Sequence, residues 1–259
     1  EMLKKGYVLR PNFWRGPTDN DFGASLQVKN AVWRNPEMVL EQLTFTPAEG
    51  ENTLPTVKVL YNMPEVSAKL EMTYRMNNDG ALQVTQQLKA DASRKDVPDM
   101  FRFGMQLVMP EQFDRIDYYG RGPEENYADR NHSTFMGRYS QMVSDQFYPY
   151  VRPQETGSKS DVRWWKVVDV DGRGLAFSAE QPFFATALHY LTSDLDDGDK
   201  KHQRHSGELH ERDLTCVSID GRQMGLGCVD SWGSLPLPEY CLPYGDYTFT
   251  VVITPIEKK

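Results

Sequence analysis

The chain has 259 residues and a formal net charge of −8, enough length for one large β domain or two smaller ones around a sizeable core. The acidic balance argues against nucleic-acid binding, which needs a basic stripe, and no window approaches the ~18 apolar residues of a membrane-spanning helix. Cys216, Cys228 and Cys241 are odd in number and match no zinc spacing, so they read as buried free thiols.

In chain order, "WRGPTDNDFG" (Trp14 to Gly23) reads as a loop bracketed by Pro17 and Gly23, with Asx side chains able to bond their own backbone. Ala24 to Asn35 carries an imperfect apolar face (Leu26, Val28, Ala31, Val32), compatible with a short helix or with none. Ala68, Leu70, Met72 and Tyr74 alternate with polar residues. After Asn77-Asn78-Asp79-Gly80 the alternation resumes at Leu82, Val84 and Leu88, which predicts a hairpin. Phe101, Phe103, Met105, Leu107 and Met109 predict another strand. A second hairpin is expected at Val167 to Val170 and Leu175 to Ala179, turning at Asp171-Gly172. Asp194 to His205 is polar and reads as an exposed loop or a short solvated helix. A third hairpin is expected from Thr215–Ile219 to Met224–Cys228, turning at Asp220-Gly221, and the chain ends in an alternating strand, Tyr247 to Ile253. With no repeats and no Pro/Gly/Ser linker, the expectation is one all-β domain, a large antiparallel two-sheet sandwich.

Glu124 and Glu125 in "YYGRGPEENYADR" form the obvious carboxylate pair. A glycosidase needs two carboxyls facing one bond, ~5–5.5 Å apart for retention or ~6.5–9.5 Å for inversion. Adjacent residues on an extended chain point to opposite sides, so a structural role, with one glutamate bonding backbone amides, is preferred. His202 and His205 are three apart, but Arg204 lies between them and no carboxylate follows at ligand spacing, so a metal site is not expected. No nucleophile elbow, phosphate-binding glycine loop or complete EF-hand frame is present. Trp232, in "DSWGS", is different. Its small polar neighbours cannot cover an indole. An exposed indole with Asp230, Ser231 and Ser234 beside it suits the apolar face and hydroxyls of a sugar. A rim tryptophan packed for stability is the competing reading.

Four segments then occur in one order: "RGPTDNDFG" (Arg15 to Gly23), "YYGRGPEENYADR" (Tyr118 to Arg130), "YPYVRPQETG" (Tyr148 to Gly157) and "IDGRQMGLGCVDSWGS" (Ile219 to Ser234). Together they resemble the C-terminal, small-chain domain of bacterial β-galactosidases of glycoside hydrolase family 2. The resemblance spans about Phe13 to Ile256, with residues 1–12 as a lead-in and 13–259 as the domain. It implies a sandwich of the galactose-mutarotase-like type. It implies no catalytic residue and no metal in this chain: the two glutamates, the magnesium and the sodium belong to a (β/α) barrel domain elsewhere. Trp232, Asp230 and Ser231 would bind the galactoside. Arg15, Pro17, Asp19, Asn20, Asp21 and Gly23 would form a mobile active-site loop. A homo-oligomer and a bacterial cytoplasmic location, rather than a periplasmic or secreted one, are implied as well. The chain starts shortly before the R-x-P loop, without initiator methionine or signal peptide. This suggests a fragment or processed product lacking an upstream edge strand, and such an edge would invite pairing. "PQETG" and the loop 193–206 suggest no function. The alternatives are an aldose 1-epimerase-like enzyme, because "NHS" at 131–133 matches part of an epimerase motif, or a stand-alone carbohydrate-binding module.

Overall fold

The computed structural model describes residues 2–48, 54–227, 230 and 232–257. The strands are β1 (Arg10–Asn12), β2 (Val39–Thr46), β3 (Thr56–Met63), β4 (Ala68–Met76), β5 (Leu82–Ala90) and β6 (Arg102–Pro110). They continue as β7 (Arg115–Gly122), β8 (Phe135–Met142), β9 (Lys159–Val168), β10 (Gly174–Leu188), β11 (Leu214–Gln223) and β12 (Tyr247–Ile256). Every pairing is antiparallel, as the alternation predicts. The first two expected hairpins form, β4 with β5 and β9 with β10.

The two layers of the expected sandwich are parts of one hydrogen-bonded sheet. Its order is β1-β6-β11-β10-β12-β5-β4-β3-β2, with β9, β7 and β8 branching from β10. The 15-residue β10 makes this possible. Gly174 to Ser178 pair with β12, whereas Phe184 to Leu188 pair with β11. The sheet curls there and its halves face each other. The Phe103 ring on β6 lies 5.4 Å from that of Tyr247 on β12, a strand with which β6 does not pair. Gly221 on β11 presses so closely on β12 that a Cβ there would sit 2.6 Å from the Phe249 ring. Between the layers Phe101, Phe103, Tyr118, Trp165, Phe177 and Phe183 are wholly or almost wholly buried.

Three expectations change. Asp220-Gly221 is no turn: β11 runs through it to Gln223, with a register shift between Asp220 and Arg222. The bulge seats the side-chain-free Gly221 against Phe249, and the Asp220 carboxylate is buried on Arg102. The Arg15 to Gly23 segment holds a short helix, α1 (Asp19–Gly23). Ala24 to Asn35 contains one helical turn, α2 (Leu26–Lys29), followed by a 3-10 turn at Ala31–Trp33. The segment 194–205 is anchored: Leu195 is buried, and the Asp197 carboxylate binds Arg152, Arg204 and the His202 amide. Cys216 is buried and Cys241 half-buried, both free, and burial pushes the Cys216 thiol up to about 12. Cys228 lies outside the described residues. Upstream, β1 pairs with β6. The strand lying bare along its whole length is β2, with Leu43 and Phe45 exposed.

Phe103 joins the two layers, touching both Phe13 and Tyr247. Phe103→Ala is expected to lower unfolding free energy by ~3–5 kcal/mol. The check is the midpoint of a urea titration at unchanged slope.

Candidate functional site

The R-x-P loop is organised by one buried cation. Arg15 is 2% exposed and holds Asp21 in a two-pronged pair, Nε to Oδ2 at 3.0 Å and Nη2 to Oδ1 at 2.7 Å. Asp21 Oδ2 also accepts from the Thr18 amide, and the Thr18 hydroxyl accepts from the Asp21 amide. That capping box starts α1. Arg15 stacks on the Phe101 ring at 4.5 Å and donates to the carbonyls of Met224 (2.8 Å) and Gly225 (3.1 Å). So the sequence-predicted Arg15 and Asp21 fix the loop and do not face solvent. Pro17 is buried with them, and Gly23 is exposed at the end of α1.

The same contacts place the chain that leads to Trp232. Beyond β11, the amides of Leu226 and Gly227 both donate to Asp129, at 3.0 Å each. Asn20 Nδ2 donates to the Leu226 carbonyl at 2.9 Å. Gly227 and Gly233 take φ of +86° and +119°, which only glycine adopts without strain. A Cβ on Gly233 would stand 3.2 Å from the Gly23 carbonyl, so the two segments lie side by side. Asp230 makes the turn itself. Its Oδ1 accepts from the amides of Trp232 (2.9 Å) and Ser234 (3.3 Å), and its Oδ2 from the Ser234 hydroxyl (2.8 Å). Those bonds hold its carboxyl below the usual aspartate range, the Trp232 amide contributing most. Trp232 projects from this turn at 90% exposure. Ser231 lies outside the described residues.

Asp19 faces the other way. Its carboxylate accepts from Lys201 (2.8 Å) and Arg152 (3.0 Å). Burial would raise its pKa, but the hydrogen bonds from those two cations lower it overall. Arg152 and Lys201 both lie over the Phe22 ring, at 4.8 and 5.5 Å. Sequence reasoning missed this cluster, because the loop 193–206 carries no motif. It also missed Arg102, buried between Glu155 of "PQETG" and Asp220. Burial raises the pKa of both carboxylic acids, against the pull of Arg102.

Glu125 takes the structural role expected of it. Oε2 accepts from the Gly157 amide (2.7 Å) and the Thr156 hydroxyl (3.1 Å), and Oε1 from Tyr150 and Arg130. His132, the anchor of the epimerase alternative, is exposed in the turn between β7 and β8. Among the described residues no three His, Cys, Asp or Glu side chains gather to hold a metal ion. The aspartates of the R-x-P loop are instead bound to arginine and lysine.

Residues 1–253 match the family described as "Beta galactosidase small chain". The chain belongs to that family. The small-chain domain is 33% identical over 256 residues to a β-galactosidase of Priestia megaterium, covering 98% of this chain and 23% of that protein. It is 31% identical to one of Streptococcus thermophilus (99% and 24%) and 34% to one of Lactobacillus delbrueckii subsp. bulgaricus (89% and 22%). The chain thus spans about a quarter of the length of these relatives. Among solved structures, an α-galactosidase of Geobacillus stearothermophilus aligns with TM-score 0.46 at 10% identity, covering 86% of this chain and 28% of that one. A galactose-mutarotase-related enzyme of Lactobacillus acidophilus aligns at 0.41 and 10%, covering 88% and 74%. No described helix is long and apolar enough to cross a membrane.

A carboxylate held below its free value contributes its bonds while charged and loses them as pH falls through the lowered value. The turn carrying Trp232 should therefore hold from neutral pH down past 3.8, the ordinary aspartate value, and loosen only below it. The measurement is Trp232 emission, taken as the difference between wild type and Trp232→Phe. Asp230→Ala should remove the transition.

Proposed function

We propose that this chain is the C-terminal domain of a β-galactosidase that hydrolyses terminal non-reducing β-D-galactose residues with retention, and that it supplies part of the active-site rim. The observation that carries the proposal is Trp232: 90% exposed, yet set on a turn fixed by Asp230, Asp129 and the Arg15 loop. A large bare indole on a rigid mount is a poor device for stability and a good one for resting against the apolar face of a pyranose. Ser231 and the free lone pairs of Asp230 would take the sugar hydroxyls.

Retention needs two carboxylates ~5–5.5 Å apart across the scissile bond. Glu125 is unsuited, since all four of its hydrogen-bonding positions are taken. The family resemblance implies that the catalytic pair, with any magnesium or sodium, lies in a (β/α) barrel domain outside this chain, packed against the face that bears Trp232. In this reading Asp19, Asn20 and Gly23 border the substrate, and Arg15, Pro17 and Asp21 keep that border in place. A homo-oligomeric whole enzyme fits the bare β2 edge. The free Cys216 and Cys241 suit a reducing bacterial cytoplasm.

In the full-length polypeptide, Trp232→Ala should raise KM for a nitrophenyl β-galactoside roughly two- to tenfold, the worth of ~0.5–1.5 kcal/mol of stacking. An unchanged KM would remove the platform from the account. The 259-residue chain by itself should show no turnover of the same substrate. Activity abolished by Glu124→Gln or Glu125→Gln would show instead that it carries its own catalytic carboxylate.

A further inference from the structure

Away from Trp232, the β7–β8 connection, the 3-10 turn Ser144–Gln146 and the start of β9 enclose a cavity of ≈520 Å³. Its floor includes Lys159, a lysine only 2% exposed. An ammonium carries three N–H donors. Among the described residues, no hydrogen bond or ion pair engages any of the three, although burying an unpaired charge is costly. The neighbouring Glu125 does not relieve it, because Tyr150, Arg130, Thr156 and the Gly157 amide already occupy that carboxylate. Desolvation pushes the lysine down to about 8, with Glu125 and Glu124 pulling the other way. It therefore stays mostly charged at neutral pH. Gln146, 3% exposed, repeats the pattern with the opposite polarity. Its Nε2 donates to the Met142 carbonyl, while its buried Oε1 has no partner.

The cavity thus presents an unused donor, the Lys159 ammonium, whereas the unpartnered Gln146 oxygen is shut inside its wall. Charge decides what it fits. Glu124, Glu125 and Asp145 line it against Arg130 and Lys159. Three carboxylates facing two cations repel a small anion, and the bare ammonium repels a cation. A neutral hydroxyl oxygen accepts, so a polyol can satisfy the Lys159 ammonium without adding charge. Tyr148 stands half-bare at the mouth with its ring 4.7 Å from Tyr150, an aromatic wall for an apolar sugar face. The volume falls in the range of small-ligand pockets.

We propose that this cavity is a second saccharide site, separate from Trp232, which binds a neutral mono- or disaccharide through Lys159 and against the Tyr148 ring. Nothing in it depends on the galactosidase reading.

Lactose and galactose are titrated into the 259-residue chain by calorimetry, with wild type compared to Lys159→Met, Lys159→Ala and Trp232→Ala. Binding in the millimolar range is expected, weakened about tenfold or more in the first two variants and retained in the third. Lys159→Met should keep the wild-type circular dichroism and an equal or higher Tm, because it removes an unpaired buried charge. A clear fall in its Tm would make Lys159 a structural partner and overturn the proposal. So would the absence of sugar binding, binding lost only in Trp232→Ala, or acetate competing more strongly than lactose in a Lys159-dependent way. Loss only in Trp232→Ala would leave the platform reading standing, whereas an unchanged KM in the full-length Trp232→Ala enzyme would leave this one standing.

Discussion

Much of the site hangs on the guanidinium of Arg15. A planar cation with donors on three sides can bind a carboxylate in two-pronged fashion and still reach other acceptors. Here it takes Asp21 on one side and two carbonyls, Met224 and Gly225, on the other, beneath the Phe101 ring. A buried pair of this kind adds little net stability over an apolar replacement, but losing one partner strands a charge at a cost of ~3–5 kcal/mol. Its value lies in position. The turn at Asp230 begins a few residues beyond the carbonyls that Arg15 holds, so the place of the indole follows from an ion pair over two hundred residues earlier in the chain.

The strands were legible where alternation and turn chemistry agreed. Asn77 to Gly80 and Asp171-Gly172 sit in the β4–β5 and β9–β10 connections, where Asn77 accepts from the amides of its own turn. Asp220-Gly221 offers the same dipeptide, and β11 passes straight through it. Arg102 binds the aspartate and the face of Phe249 needs the missing side chain of the glycine, so tertiary contacts override the local signal. The layering also escaped a sequence reading: no pattern within β10 announces that its two ends serve different neighbours.

At the site, residue type alone leans toward a rim tryptophan packed for stability; the small neighbours and the ordered motifs point to exposure, and Trp232 is bare. Sequence reasoning missed the bonds that the others make within the chain. Asp230 looked like a partner for hydroxyls and is first a turn-maker; Asp21 looked like an open loop carboxylate and is buried on Arg15. The cations around Asp19 were invisible, because Arg152 and Lys201 come from segments distant in sequence, and nothing local pairs either with Asp19. Lys159 escaped for the opposite reason. A lysine at the head of an alternating strand reads as solvent-facing, and only the packed structure shows how little water reaches it.

The double pairing of β10 bears on how the domain comes apart. In a sandwich of independent sheets, one layer can peel while the other stays folded. Here opening either layer along its whole length means breaking bonds to a strand that the other layer also uses. Partial opening is confined to the margins, such as β2 and β8, and the centre loses its structure all at once. The amide protons of β10 should therefore be among the slowest in the chain to exchange.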